Sequence, residues 1–257
     1  YNISSSTALL DKTWKKLEPE KFFENQYQKL LKNKEDEIEK IKDNASTTPK
    51  TASSSIQKIQ DDIKEQVRKE MNSKQSYYRQ DKDENILELT ITTFNIDEYK
   101  KVSQEIASMW REVGIKTKIK LIDRLQIQEI LKRRDYDILL YSEIGGSDPD
   151  PYPFWHTSQS KHPGLNLSNF SDSKADKLLI EARKINDNKK RQELYKQFQE
   201  ILLDEIPAIF LYTPSHTIII NKKIKGVKLN QAESASGRYT SINEWYTKTK
   251  NKFKLKK

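Results

Sequence analysis

Residues 86–122 read ILELTITTFNIDEYKKVSQEIASMWREVGIKTKIKLI, and this stretch decides the fold. Its first eight residues alternate and are rich in β-branched types, which predicts a strand over Ile86–Thr93. Apolar residues then recur at helical spacing over residues 102–113, and Gly114 stands where a helix ends in a left-handed residue. A second strand follows over Ile115–Ile122, so the stretch predicts a strand–helix–strand crossover.

The same alternation of strands and helices continues along the chain. Asn95 and Glu98, three residues apart, resemble a capping box that opens the first helix. The other predicted elements are a short helix over Leu125–Leu131, an apolar strand over Asp137–Tyr141, helices over Asp172–Lys184 and Asp187–Asp204, and a closing pair of strands over Ala208–Tyr212 and Thr217–Ile220. Together they predict an α/β lobe over residues 86–220, a sheet flanked by helices.

The zones on either side of this lobe have a different composition. Residues 15–85 are polar, rich in Lys and Glu, and poor in strand formers. Two amphipathic stripes separated by a Ser/Thr/Pro-containing loop predict a helical hairpin over Pro19–Asn72 with one narrow apolar seam. Residues 221–257 form a turn-rich return segment that ends in a basic tail.

Composition and motifs argue against several classes of function. The net charge is +9, but residues 247–257 hold six lysines and no acid, so the rest of the chain is nearly balanced and no nucleic-acid partner is predicted. The absence of cysteine excludes disulfides and thiolate metal sites. His156, His162 and His216 lack metal-ligand spacing, and no Gly-rich phosphate loop occurs, so no metal site and no cofactor are predicted.

The densest concentration of unusual residues is the segment Tyr141–Trp155, directly after an apolar strand. Asp148 and Asp150 are a pair of acids that a hydrolase would need. Each is followed by proline, however, which favours turn and helix capping over acid–base catalysis. In α/β sheets ligands usually bind beyond the carboxyl ends of strands. The segment therefore predicts a binding loop, and the protein is not expected to be an enzyme.

Five ordered blocks of the chain resemble one known family. The blocks are YDILLY (Tyr136–Tyr141), DPDPYPFWH (Asp148–His156), GLNLSNF (Gly164–Phe170), KRQELYKQFQEIL (Lys190–Leu202) and EIPAIFLY (Glu205–Tyr212). They look like the C-terminal half of family 5 extracellular solute-binding proteins, the oligopeptide and dipeptide receptors of ABC importers. Residues 1–14 resemble the family helix that precedes the first strand. The family joins the two by a short connector, so residues 15–85 look like an insertion.

The resemblance implies one lobe of a type II periplasmic-binding-protein clamshell, a mixed sheet flanked by helices, with an inserted helical hairpin. Hinge closure would bury a peptide held largely through its backbone. In the peptide receptors of this family, a Trp and an Asp that pairs with the ligand's α-amino group occupy the positions of Ser142 and Gly145. Since a buried ammonium needs a partner, either Glu143 or Asp148 substitutes, or the ligand lacks a free amine at that end.

The expected ligand-binding residues lie in and around this loop. They are Tyr141, Ser142, Glu143, Ile144, Gly145, Asp148, Tyr152, Trp155 and Asn166. The resemblance implies two partners, a peptide or similar small solute and the permease subunits of an ABC transporter. It also implies an extracytoplasmic location, with a signal peptide or lipid anchor lying upstream of Tyr1 and no other membrane attachment.

Three alternatives remain open from the residues alone. The hairpin is an interaction module, with the receptor function secondary. The ligand is an oligosaccharide or a metal chelate, as in other members of the family. The third is hydrolysis through Asp148 and Asp150, which is the least favoured.

Overall fold

The computed structural model describes residues 2–43, 49–143, 150–213, 217–228, 239 and 241–248. The chain divides into two compact units, Tyr1–Tyr141 and Ser142–Lys257. No helix among the described residues combines the length and apolar character that crossing a bilayer requires.

The first unit begins with helices and two short strands. They are α1 (Ile3–Leu10), β1 (Lys15–Leu17), α2 (Pro19–Asn33), α3 (Glu35–Asp43), α4 (Pro49–Glu70) and β2 (Tyr78–Gln80). Strands β1 and β2 pair antiparallel, with Lys15 opposite Gln80 and Leu17 opposite Tyr78. We call this pair the neck, because the segment that holds helices α2, α3 and α4 begins directly after β1 and ends directly before β2.

Helices occupy the segment for which a helical hairpin is predicted. The first arm is divided into α2 and α3, which meet at Lys34, and both pack against α4. Pro19 is the first residue of α2, where its missing N–H costs nothing. The rings of Phe23 and Tyr27 stack at 6.2 Å, and the Arg68 guanidinium of α4 lies 6.0 Å from the Phe23 ring. The seam is therefore aromatic and cationic as well as aliphatic.

A small core holds the neck to α2. Phe22 is completely buried and stacks on Tyr78 with ring centroids 3.9 Å apart. Leu17 is buried beside them, and Met71 and Ile86 pack against the cluster. This core joins residues from both ends of the helical segment, which the sequence places about sixty positions apart.

Arg79 ties the neck to the rest of the first unit. Its side chain is 0% exposed. Its Nε donates to the Val113 carbonyl at 2.6 Å, and its Nη1 donates to the Asp11 carboxylate at 2.8 Å and the Trp14 carbonyl at 3.1 Å. The buried guanidinium of Arg79 therefore connects β2 with Asp11 and Trp14, which follow α1, and with the backbone at Val113.

The sheet of the first unit is parallel and three-stranded. Its elements are β3 (Glu88–Phe94), α5 (Asp97–Glu112), β4 (Lys116–Ile122), α6 (Arg124–Arg133) and β5 (Ile138–Leu140), with strand order β4-β3-β5. Ile91 of β3 lies opposite Ile119 of β4 and Ile138 of β5. The strand–helix–strand prediction is confirmed. Gly114 also has the predicted positive φ, 85°, and a Cβ there would meet the Tyr77 ring at 2.5 Å.

The predicted capping box at Asn95 is wrong. The Asn95 N–H donates to the Ile122 carbonyl at 3.0 Å, which keeps Asn95 in line with the strand. Helix α5 therefore starts at Asp97, with Ile96 at the N-cap and no side-chain cap. Asp97 and Glu98 instead lie in its first turn, where negative charge complements the helix dipole.

A buried lysine connects the helical segment to the sheet. The Lys116 ammonium lies 3.0 Å from the Glu70 carboxylate at the end of α4 and 2.9 Å from the Glu88 carboxylate of β3. Burial alone would lower the pKa of Lys116, but the hydrogen bonds to Glu88 and Glu70 outweigh it and raise the pKa above 10.5. Lys116 is thus held charged in a site that is mostly closed to water.

The second unit consists mainly of helices among its described residues. They are α7 (Tyr152–Trp155), α8 (Ser173–Lys184) and α9 (Asn188–Glu205), followed by the short pair β6 (Ile224–Lys225) and β7 (Tyr246–Thr247). The side chains of Asp172 and Asp187 cap α8 and α9 by accepting N–H groups of their first turns. Both helices are confirmed at the predicted positions.

The closing pair of strands predicted after α9 is wrong for the residues that the structure describes. Residues 208–213 and 217–220 have no strand assignment. Ile209, Phe210, Leu211 and Tyr212 are all exposed, and no described strand pairs with them. Their strand-forming composition is real, but a strand needs a neighbour to satisfy its backbone.

Candidate functional site

An aromatic group marks the carboxyl end of the sheet in the first unit. Phe94 ends β3, and Tyr141 directly follows β5. Their ring centroids are 5.7 Å apart, and the Tyr99 ring from the first turns of α5 lies 5.9 Å from Phe94. The Thr93 hydroxyl donates to the Leu140 carbonyl at 2.9 Å, which fixes the two strand ends side by side.

Of these rings, the sequence predicts only Tyr141 as a site residue. Phe94 and Tyr99 are missed because each looks like an ordinary strand or helix residue. Only the parallel register of β3 and β5 brings Phe94 next to Tyr141. An aromatic residue directly after a predicted strand is the one signal that points to Phe94.

Two further predicted residues, Ser142 and Glu143, begin the second unit. Glu143 is exposed as a residue, yet burial of its carboxyl group raises the pKa from 4.5 to about 7. A carboxyl group with this pKa is partly protonated near neutral pH and responds to a nearby positive charge. Ile144, Gly145 and Asp148 lie outside the described residues.

Asp150 has the capping role that the sequence favours. Its Oδ1 accepts the Tyr152 N–H at 3.1 Å, and its Oδ2 lies 3.1 Å from Nε of Arg183. The Arg183 guanidinium also lies 4.3 Å from the centre of the Tyr152 ring. Both carboxylate oxygens are therefore engaged in holding the first turn of α7.

Tyr152 and Trp155 contribute to the packing of the second unit. The Tyr152 ring stacks on His156 with centroids 4.2 Å apart. Trp155 meets Phe170 edge-on at 6.2 Å and lies 6.5 Å from Phe198. Both residues pack against the core of α8 and α9. Both residues are half-buried, and their role in ligand binding stays a prediction.

Asn166 is 0% exposed and hydrogen-bonded on all sides. Its Nδ2 lies 2.8 Å from the Phe170 carbonyl and 3.2 Å from the His156 carbonyl, while its Oδ1 accepts the Phe170 N–H at 3.1 Å. A carboxamide offers two N–H donors and two lone pairs, and Ser168 takes the remaining acceptor position. These hydrogen bonds hold the loop in place, and the ligand contact of Asn166 stays a prediction.

No group of three or more acidic, histidine or cysteine side chains among the described residues is placed to hold a metal ion. His156 illustrates the local use of such groups. Its Nδ1 accepts the Ser158 N–H at 3.1 Å and lies 2.9 Å from the Ser158 hydroxyl, so it caps the turn at Thr157–Gln159.

The comparisons with known proteins agree with this architecture. No family model matches the chain. The oligopeptide-binding protein AppA of Bacillus subtilis is 28% identical over 142 residues, which cover 53% of this chain and 26% of that protein. The probable D,D-dipeptide-binding periplasmic protein DdpA of Escherichia coli is also 28% identical over 142 residues, 53% of this chain and 27% of its own. The matched part of this chain thus spans about a quarter of the length of each relative.

The solved structures give the fold. A structure of AppA from Bacillus subtilis in complex with a nonapeptide superposes with a TM-score of 0.55 at 22% identity, covering 72% of this chain and 37% of that one. A putative peptide-binding protein AppA from Clostridium difficile gives a TM-score of 0.51 at 17% identity, with 74% and 36% covered. The chain therefore has the fold of a type II periplasmic-binding-protein lobe. The resemblance to family 5 extracellular solute-binding proteins is confirmed over about half of the chain.

Proposed function

We propose that this chain is the ligand-closing lobe of a receptor that captures peptides for an ABC importer. One observation carries the proposal. The fold matches that of a type II binding protein, and 53% of the chain aligns with an oligopeptide-binding protein. In the proposed mechanism, the lobe closes on the peptide by a hinge motion and excludes water from it. No catalytic step is part of the mechanism.

Backbone groups near the carboxyl ends of β3 and β5 would contact the peptide main chain, which gives affinity with little dependence on sequence. Glu143 is the proposed partner of the ligand's α-amino group. Partial burial raises the pKa of its carboxyl group to about 7, and an ammonium at hydrogen-bonding distance would stabilise the ionised form. This supplies the negative charge that Gly145 lacks.

The partners and location follow from the same proposal. The receptor works outside the cytoplasmic membrane and delivers its ligand to the permease subunits of an ABC transporter. Attachment to the membrane is through a lipid anchor upstream of Tyr1. The names of the relatives, peptide-binding proteins in both cases and a periplasmic protein in one, support this location.

The test is peptide binding by the full-length receptor that carries this chain as its closing lobe, followed through tryptophan fluorescence and through mass spectrometry of peptides retained from a tryptic digest. Saturable retention is expected. A retained peptide and its N-acetylated form are then compared on the wild type and Glu143→Gln between pH 5 and pH 8. The wild type is expected to bind the free-amine peptide about tenfold more weakly at pH 5 than at pH 8, because Glu143 becomes protonated.

The matched control is the N-acetylated peptide, which should bind both proteins with little pH dependence. Glu143→Gln should remove the pH dependence for the free-amine peptide as well. Retention of no peptide at all would overturn the proposed function. An unchanged pH profile in Glu143→Gln would remove only the role of Glu143.

A further inference from the structure

The three rings at the end of the sheet are more exposed than the three residues that precede Phe94 in β3. Ile91, Thr92 and Thr93 of β3 are no more than 1% exposed. Tyr141, at the same end of the sheet, is 37% exposed, and Phe94 and Tyr99 are half-buried. The buried run of β3 thus ends at Thr93, and the rings beyond it are partly exposed.

The geometry of these rings resembles a stacking surface more than a filled core. Phe94 is the middle ring, with Tyr99 inclined by 25° at 5.9 Å and Tyr141 inclined by 31° at 5.7 Å. Offset rings at such distances attract one another, and each leaves a face or an edge for a further ring. Ile96 beside them is also exposed, at 44%.

The position of this group connects it to a ligand. Parallel sheets in α/β folds bind their ligands beyond the carboxyl ends of the strands, and Phe94 and Tyr141 mark those ends in β3 and β5. The group contains no charged side chain, so it offers no ion pair to a charged ligand group. It suits an uncharged planar group.

We propose that Phe94, Tyr99 and Tyr141 form an aromatic subsite that receives an aromatic side chain of the bound peptide. This inference rests on the proposed function and narrows it, because it gives a receptor that reads the peptide backbone a preference for one class of side chain. Ring stacking of this kind changes affinity by about two- to tenfold per contact.

The test uses four tripeptides, Ala-Ala-Ala and the three that carry one Phe. One Phe-containing tripeptide is expected to bind the wild-type receptor about tenfold more tightly than Ala-Ala-Ala. Tyr141→Ala should reduce that preference to about twofold, while affinity for Ala-Ala-Ala stays within about twofold of the wild type. Tyr141→Phe keeps the ring and should retain the preference.

The control variant is Tyr246→Ala, which removes an exposed tyrosine outside the subsite and should leave the preference unchanged. Phe94→Leu, which preserves bulk in a half-buried position, is a second test in case Tyr141→Ala fails to fold, and it should also weaken the preference. Equal binding of all four tripeptides, or a preference that survives both variants, would overturn the subsite and leave peptide binding intact. Failure of every tripeptide and of the tryptic digest would instead overturn the proposed function.

Discussion

Apolar side chains differ in exposure between the helical segment over residues 15–85 and the run over residues 206–220, which we call the apolar run. No large apolar side chain of residues 15–43 or 52–85 is exposed. After α9, by contrast, Ile206, Ile209, Phe210, Leu211 and Tyr212 are exposed, and Ile219 is 96% exposed. The described apolar side chains of the helical segment are therefore buried or half-buried, whereas those of the run are exposed, even though the Phe210 ring lies 5.9 Å from the Trp155 ring.

This difference bears on the alternative in which the helical segment is an interaction module. A docking surface usually presents an apolar patch to its partner. The described part of the helical segment presents charged side chains, several of them in pairs within one helix, such as Lys34 with Glu37 and Lys69 with Glu65. The structure therefore does not favour an apolar docking surface there.

The largest loss of stability is expected from a substitution where α2 packs against the neck. Phe22→Ala would remove a completely buried ring that stacks on Tyr78. We expect the free energy of unfolding to fall by about 3–5 kcal/mol, because the substitution leaves a cavity between α2 and the neck. Urea titration followed by circular dichroism measures it. Phe23→Ala, at the half-buried neighbouring position, is the matched control and should cost clearly less. Equal losses would mean that Phe22 is not an anchor.

A smaller loss of stability is expected from a substitution that breaks an ion pair of Lys116. Burial alone would raise the pKa of Glu88, but hydrogen bonds from Lys118 and Lys116 outweigh it and lower the pKa below 4.5. A lowered pKa means that the Glu88 contribution is present above pH 4.5 and is lost as the pH falls through the folded-state value. Glu88→Gln should therefore reduce stability by about 1–2 kcal/mol at pH 7.

The difference between Glu88→Gln and the wild type should shrink as the pH falls below 4.5, and thermal melts at pH 7 and pH 3 measure it. Glu129→Gln, which alters an exposed pair within α6, is the control and should change little at either pH. A gap that stays constant with pH would show that the lysines do not interact with the ionised form of Glu88.

The smallest effect is expected in the apolar run. Ile219→Ser exchanges a side chain that is 96% exposed, so its stability should stay within about 0.5 kcal/mol of the wild type. The same substitution at the buried Ile91 of β3 is the contrast and should be strongly destabilising. A large loss of stability in Ile219→Ser, measured by thermal melting, would show that this run is covered after all.

The elements that could be predicted from the sequence are the strands and helices whose apolar residues recur at a regular spacing. Alternation gave β3, and helical spacing gave α5, α8 and α9. The neck was missed because strands of three residues show no period, and its partners are about sixty positions apart. The strands predicted over residues 208–212 and 217–220 failed for the opposite reason, since composition indicates a strand but cannot supply the neighbour that pairs with it.

The location of the candidate site along the chain could be predicted better than the role of each residue in it. The resemblance pointed to the loop after β5, and Tyr141 is found at its start. The roles of Asn166 and Trp155 could not be predicted, because a buried amide and a ligand-binding amide look alike in a sequence. Asn166 is distinguished only by its hydrogen bonds to Phe170 and its neighbours.

The neck has a consequence for how such a chain is built. Leu17 and Tyr78 are paired partners, so residues 18–77 start and finish at neighbouring points in space. A tight turn of two residues can join antiparallel strands. In topological terms, the helical segment could therefore be replaced by a short turn between β1 and β2. Its length or sequence could change in evolution or by design without rerouting the strands of the parallel sheet.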